Sequence, residues 1–118
     1  MTAALLSLLL AAAPPRDKDG HILRDRSAVR QFQREAWCPS TGKRGGKCPG
    51  YVVDHPEPLC AGGKDAPSNM QYQRADLARA KDVLELQLCG VRVSKRSVVR
   101  AWCVLGIATG DACNSEGR

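Results

Sequence analysis

The chain has 118 residues, with 18 Lys and Arg against 12 Asp and Glu, for a net charge of +6. That length leaves no room for a second domain, and the basic balance favours a polyanionic partner. Aromatics are scarce, with Phe32 the sole phenylalanine, while six cysteines suit a disulfide-supported chain of an oxidising compartment better than a reduced cytosolic one.

Residues 1–13 form an uncharged run, LLSLLLAAA at its centre and end, too short to span a bilayer and suited to the apolar part of an export signal. The expectation is a signal peptide over residues 1–15 and a secreted or periplasmic chain. A buried N-terminal helix is the alternative, and Pro14-Pro15 followed by Arg16-Asp17-Lys18-Asp19 would end it abruptly. Asp19-Gly20 then predicts a turn and residues 21–24 an extended piece, in which His21 reads as a solvent-facing histidine rather than a catalytic one. Ser27 is the candidate N-cap of a helix that buries Val29, Phe32 and Ala36 and turns Arg30, Gln31 and Arg34 outward.

Cys38 and Cys48 bracket a basic, glycine-rich loop carrying Lys43, Arg44 and Lys47. A zinc knuckle would show paired Cys or His at two-residue spacing, so a local disulfide is the preferred reading, with zinc ligation the alternative. The loop lacks the GxxxxGK[ST] order of a phosphate-binding loop, which sets nucleotide hydrolysis aside. Tyr51, Val52 and Val53 are strand formers ending at Asp54-His55. Gly62-Gly63 permits a reversal, after which residues 69–72 are expected to return as a second strand.

Leu77, Ala80, Leu84 and Leu88 recur at helical spacing, and Gly90 stands where that helix should stop. Cys60 and Cys89, at the two ends of this hairpin–helix unit, are expected to pair. Residues 91–100 read as a further strand and residues 110–118 as frayed. Charge is uneven. Residues 16–47 carry +5, residues 48–88 carry −2, and residues 89–118 carry +3, so an acidic middle lies between basic flanks. A cation site on a phosphodiester backbone would have that distribution, and so would an ordinary solvated surface.

The string PGYVVDHPEPLCAGGKDAPSNMQYQ…AKD resembles small HNH-type proteins with the pattern GYxxDHxxPL…GGxDxPsNMQwQ…AKxKD, in the ββα-metal nuclease superfamily. The resemblance covers about residues 16–85 and is densest over 48–82. It implies an α+β fold: a small ββα-metal core within residues 16–90, with an N-terminal helix and disulfide-supported loops. Residues 91–118 fall outside it, as an extension.

By resemblance, His55 is the general base, Asp54 a metal ligand, and Asn69 the residue that steadies the base. The helical position that usually supplies a second ligand is Ala78, so Asp82 becomes the substitute ligand and Lys81 a catalytic cation. Mg²⁺ or Mn²⁺ is the expected cofactor, with Zn²⁺ as an alternative. The expected partner is nucleic acid: DNA first, with RNA as a second substrate, met by Arg30, Arg34, Lys43, Arg44 and Lys47. No stable membrane insertion of the mature chain and no protein partner is implied. Two other readings stand beside the nuclease. One is a nuclease-fold nucleic-acid binder with little or no catalysis; the other is a disulfide-rich interaction protein whose motif is coincidental.

Overall fold

The computed structural model describes residues 14–114, so the expected signal peptide lies almost wholly outside the described residues. The architecture is mixed: a small two-stranded antiparallel sheet, several helices, and three disulfides. The first helix, α1, runs Arg26–Glu35. Its cap is Asp25 rather than Ser27, because the Asp25 carboxylate accepts from the backbone N–H groups of both Ser27 and Ala28. Ala28 and Phe32 are its buried residues, Val29 and Ala36 are partly buried, and Arg30 and Arg34 face solvent.

Strand β1 (Tyr51–Asp54) pairs with β2 (Gln71–Arg74), with Val53 opposite Tyr72 and Asp54 opposite Gln71. The second strand starts two residues later than expected. Pro67–Asn69 forms a 3₁₀ turn instead, since Pro67 fixes its first position and the Asn69 side chain is drawn into the loop. Phe32 meets Tyr72 in a tilted ring contact at 5.1 Å. With Ala28 and Met70 they form the core that joins α1 to the hairpin. Burying a side chain such as Phe32 contributes about 1.5–3 kcal/mol, a large share of what so small a core supplies.

Helix α2 (Ala75–Leu88) follows β2 without a loop. It ends where Gly90, at φ +80°, adopts the left-handed conformation; Gly90 N–H bonds Gln87 O and Val91 N–H bonds Leu86 O. The expected apolar stripe is only partly used: Ala80 is buried, Leu77 and Leu84 are partly buried, and Leu88 is 85% exposed, while Ala78, outside the stripe, is buried as well. Residues 91–100 do not form a strand. Ser94 caps a third helix, α3 (Lys95–Val104), which buries Val98 and Ala101 and packs along α2. A short α4 (Asp111–Asn114) replaces the expected fraying up to Asn114, because Cys113 is bonded to Cys103. The other disulfides are the two expected, Cys38–Cys48 and Cys60–Cys89. No helix among the described residues is long and apolar enough to cross a membrane.

Candidate functional site

Asp54 and His55 are each only 6% exposed, the two most buried ionisable side chains described. Neighbours on a strand point to opposite faces. Here β1 ends at Asp54 and Pro56 follows His55, so both can address one cleft. That cleft encloses about 460 Å³ between β1, the loop after it, α2 and the segment around Ile22. Arg24, Ala78, Arg79, Asp82 and Glu85 also line it.

Lys81 binds the end of β1 from α2. Its Nζ donates to Asp54 Oδ2 at 2.9 Å, to Oδ1 at 3.1 Å and to the His55 carbonyl at 3.0 Å. It also lies 2.6 Å from Glu85 Oε1, one helical turn away. Partial burial works against the charge on Lys81, but its hydrogen bonds to Glu85 and Asp54 override this and hold the ammonium above the usual lysine range. Gln71, opposite Asp54 on β2, donates to Oδ2 at 2.9 Å. Lys81 is therefore committed inside the protein rather than free to meet substrate.

His55 Nε2 lies 3.0 Å from Asp65 Oδ1. An ionised carboxylate can only accept, so the tautomer that suits this bond has the proton on Nε2 and the lone pair on Nδ1. Asp65 is held in turn, its Oδ2 accepting the backbone N–H of Asp25 at 2.5 Å. The cap of α1 thus positions the carboxylate that orients the imidazole.

The loop between the strands is braced from within. Asn69 Oδ1 accepts Glu57 N–H at 3.0 Å, and Asn69 Nδ2 donates to the carbonyls of Glu57 and Lys64, both at 2.9 Å. A side chain at position 63 would collide with the Glu57 carbonyl and come 2.9 Å from Asn69 Nδ2. Only glycine permits this closure. Leu59 is buried beneath, and Cys60–Cys89 ties the loop to the end of α2.

Asp54 and Asp82 give the cleft two hard oxygen donors, the chemistry that suits Mg²⁺ or Mn²⁺. Each Asp54 oxygen accepts from Lys81, and Oδ2 also from Gln71, which leaves Oδ1 with spare acceptor capacity. Asp82 sits at the mouth of the cleft, more than a third of it in solvent, yet its carboxyl is raised above the usual range. Desolvation is the main cause and outweighs the opposing charges of Arg24 and Lys81, while the charge of Asp54 adds to it. Both carboxylates are the oxygen donors a hard cation prefers, and Asp54 is already shared with the Lys81 ammonium. Ala78 lines the same cleft and contributes no ligand. Asp17, Asp19 and His21 also cluster, but they are exposed in the N-terminal turn, where Asp17 is engaged by the backbone and ring of His21.

Of the basic residues read as nucleic-acid contacts, Arg30, Arg34, Lys43, Arg44 and Lys47 are all exposed and none lines the cleft. The cations at the cleft are Arg24 and Arg79, which the sequence did not single out. Arg24 reaches it only through the path of the N-terminal segment. Asp65 was missed as a functional residue although it lies in the GGKD string that carries the resemblance, since no spacing rule ties it to His55 ten positions away. Comparison with known proteins adds no identity: no family model, curated protein or solved structure matches this chain.

Proposed function

We propose that this protein is an exported endonuclease that hydrolyses phosphodiester bonds in nucleic acid, with a ββα-metal type site formed by β1, β2 and α2. The observation that carries the reading is the buried His55, bonded to the partly buried Asp65 and lining a cleft that also holds Asp54, Asp82, Arg24 and Arg79. His55 Nδ1 takes a proton from water, the resulting hydroxide attacks phosphorus as the P–O bond to the leaving oxygen breaks, and the departing alkoxide takes a proton from solvent water. Asp65 holds the imidazole in the required tautomer and stabilises the imidazolium that forms. Asn69 keeps the loop that carries His55 in one conformation. Arg24 and Arg79 meet the phosphate. Asp54 and Asp82 would hold a divalent cation, which when bound supplies charge neutralisation at the phosphoryl group. Three disulfides fit maturation in an oxidising compartment and support the exported reading.

The test is nicking of supercoiled plasmid by wild type and His55→Ala, each with Mg²⁺, with Mn²⁺ and with excess chelator. Nicking by wild type with metal, and its loss in His55→Ala, is the expected result; nicking by both proteins alike would overturn the assignment of the base. A second reading rests on the pairing of Asp54 with Lys81 and Gln71, which satisfies this carboxylate without a metal. On that reading the protein binds nucleic acid and does not cut it. Salt-sensitive DNA binding without nicking under any metal condition would select it.

A further inference from the structure

We infer that Trp37, backed by Arg44, is a stacking platform for an unpaired base, which makes single-stranded or locally opened nucleic acid the preferred substrate class. The inference rests on the nucleic-acid reading above and narrows it.

The chain has five aromatic residues, and a core this thin has use for all of them. Phe32 and Tyr72 are spent on it. Trp37 is instead 61% exposed, although the next residue, Cys38, is the most buried in the described chain at 2%. The exposure is imposed by a rigid frame. Cys38 N–H bonds Lys43 O at 2.9 Å, Trp37 and Arg44 face each other in an antiparallel bridge, and Cys38–Cys48 closes the loop. Gly45 N–H bonds Gln33 O at 2.9 Å and ties the loop to α1.

The Arg44 guanidinium lies over the indole, 4.5 Å from the ring centroid. With one face so covered, an indole this exposed has its other face in solvent. A cation behind the ring also leaves a positive charge beside any phosphate attached to a base stacked in front. Lys43 and Lys47, both exposed, extend that charge along the loop.

The loop leads through Cys48 into β1, whose four residues end at Asp54 with His55 next. At about 3.3 Å per residue β1 itself spans roughly 13 Å, so loop and site are joined by a short, rigid connection. In an intact duplex the base faces are occupied by their neighbours, so an indole gains a stacking partner only where the stack is open.

The experiment measures binding of a labelled 12-nucleotide single strand and of a blunt hairpin duplex. It uses the full chain as wild type, Trp37→Ala and Trp37→Phe, with indole fluorescence read in a Trp102→Phe background. Expected are tighter binding of the single strand than of the duplex and quenching of Trp37 by the single strand. Trp37→Ala should bind the single strand roughly ten-fold more weakly, with duplex binding and salt dependence unchanged, and Trp37→Phe should retain most of the affinity. Equal effects of Trp37→Ala on both ligands, or no effect on either, would overturn the platform and leave the nuclease reading standing. Failure of wild type to bind either ligand at low salt would overturn both.

Discussion

The cleft and the Cys38–Cys48 loop both carry charge, and they handle it in opposite ways. At the cleft, Asp54 and His55 are withdrawn from water and each has a named partner: Lys81 and Gln71 for one, Asp65 for the other. On the loop, Lys43 and Lys47 face solvent, and Arg44 rests on an exposed indole. A buried charge must be paired inside the protein or the fold fails, whereas an exposed charge stays available to a partner. On the proposed reading, the cleft would supply the fixed geometry that chemistry requires and the loop the accessible charge that capture requires.

The largest expected effect is on catalysis. His55→Ala should lower the nicking rate by about 10²–10⁴-fold, measured on plasmid, while the protein still unfolds cooperatively. Reversing the loop charges should leave the rate at saturating substrate unchanged. A loop variant that lost turnover as heavily as His55→Ala would break the comparison. Next comes stability. Lys81→Met strands the Asp54 carboxylate at 6% exposure and should cost about 3 kcal/mol in urea unfolding. Lys43→Glu or Lys47→Glu should fall within about 0.5 kcal/mol of wild type. Asn69→Ala leaves the Glu57 N–H and two carbonyls without their partner, and should cost about 2 kcal/mol.

Smaller again is the salt dependence. If Lys43 and Arg44 each release one condensed counterion, the double variant Lys43→Glu/Arg44→Glu should flatten the plot of log affinity against log salt by about two, read by fluorescence anisotropy. The smallest effect is a response to acid outside both regions. Asp17 is held below its ordinary value of 3.8, chiefly by the backbone N–H of His21 and also by that of Asp19. Because this carboxyl is depressed in the folded chain, its contribution is present above pH 3.8 and is lost as pH falls through the lowered value. Amide protection at Asp19 and His21, taken relative to the intrinsic exchange rate at each pH, should fall over that window.

Local rules carried part of the fold a long way. Phe32 at helical spacing, strand formers before Asp54 and Gly90 at the end of α2 each express a preference of the residue itself, and the structure places each as expected. The same rules misread residues 91–100, where two valine pairs suggested a strand. Their apolar faces are buried only because α2 lies alongside, and no pattern within the segment announces that neighbour. Leu88 shows the reverse: its spacing matches the stripe, but among the described residues it stays 85% exposed at the end of α2.

The sequence by itself determined which groups could do chemistry, because the types and order of Asp54, His55, Asn69, Lys81 and Asp82 are covalent facts. It also pointed to two of the three disulfides, since Cys38 and Cys48 bracket one loop and Cys60 and Cys89 bracket one hairpin–helix unit. Only the tertiary structure decided the partnerships. It brought Asp65 to His55 across a closed loop, turned Lys81 inward onto Asp54 and the His55 carbonyl, and delivered Arg24 to the cleft from a segment thirty residues upstream of Asp54. The physical reason is that a hydrogen bond or ion pair depends on positions within about 3 Å, and loop closure and helix packing set those positions between residues that sequence spacing leaves independent.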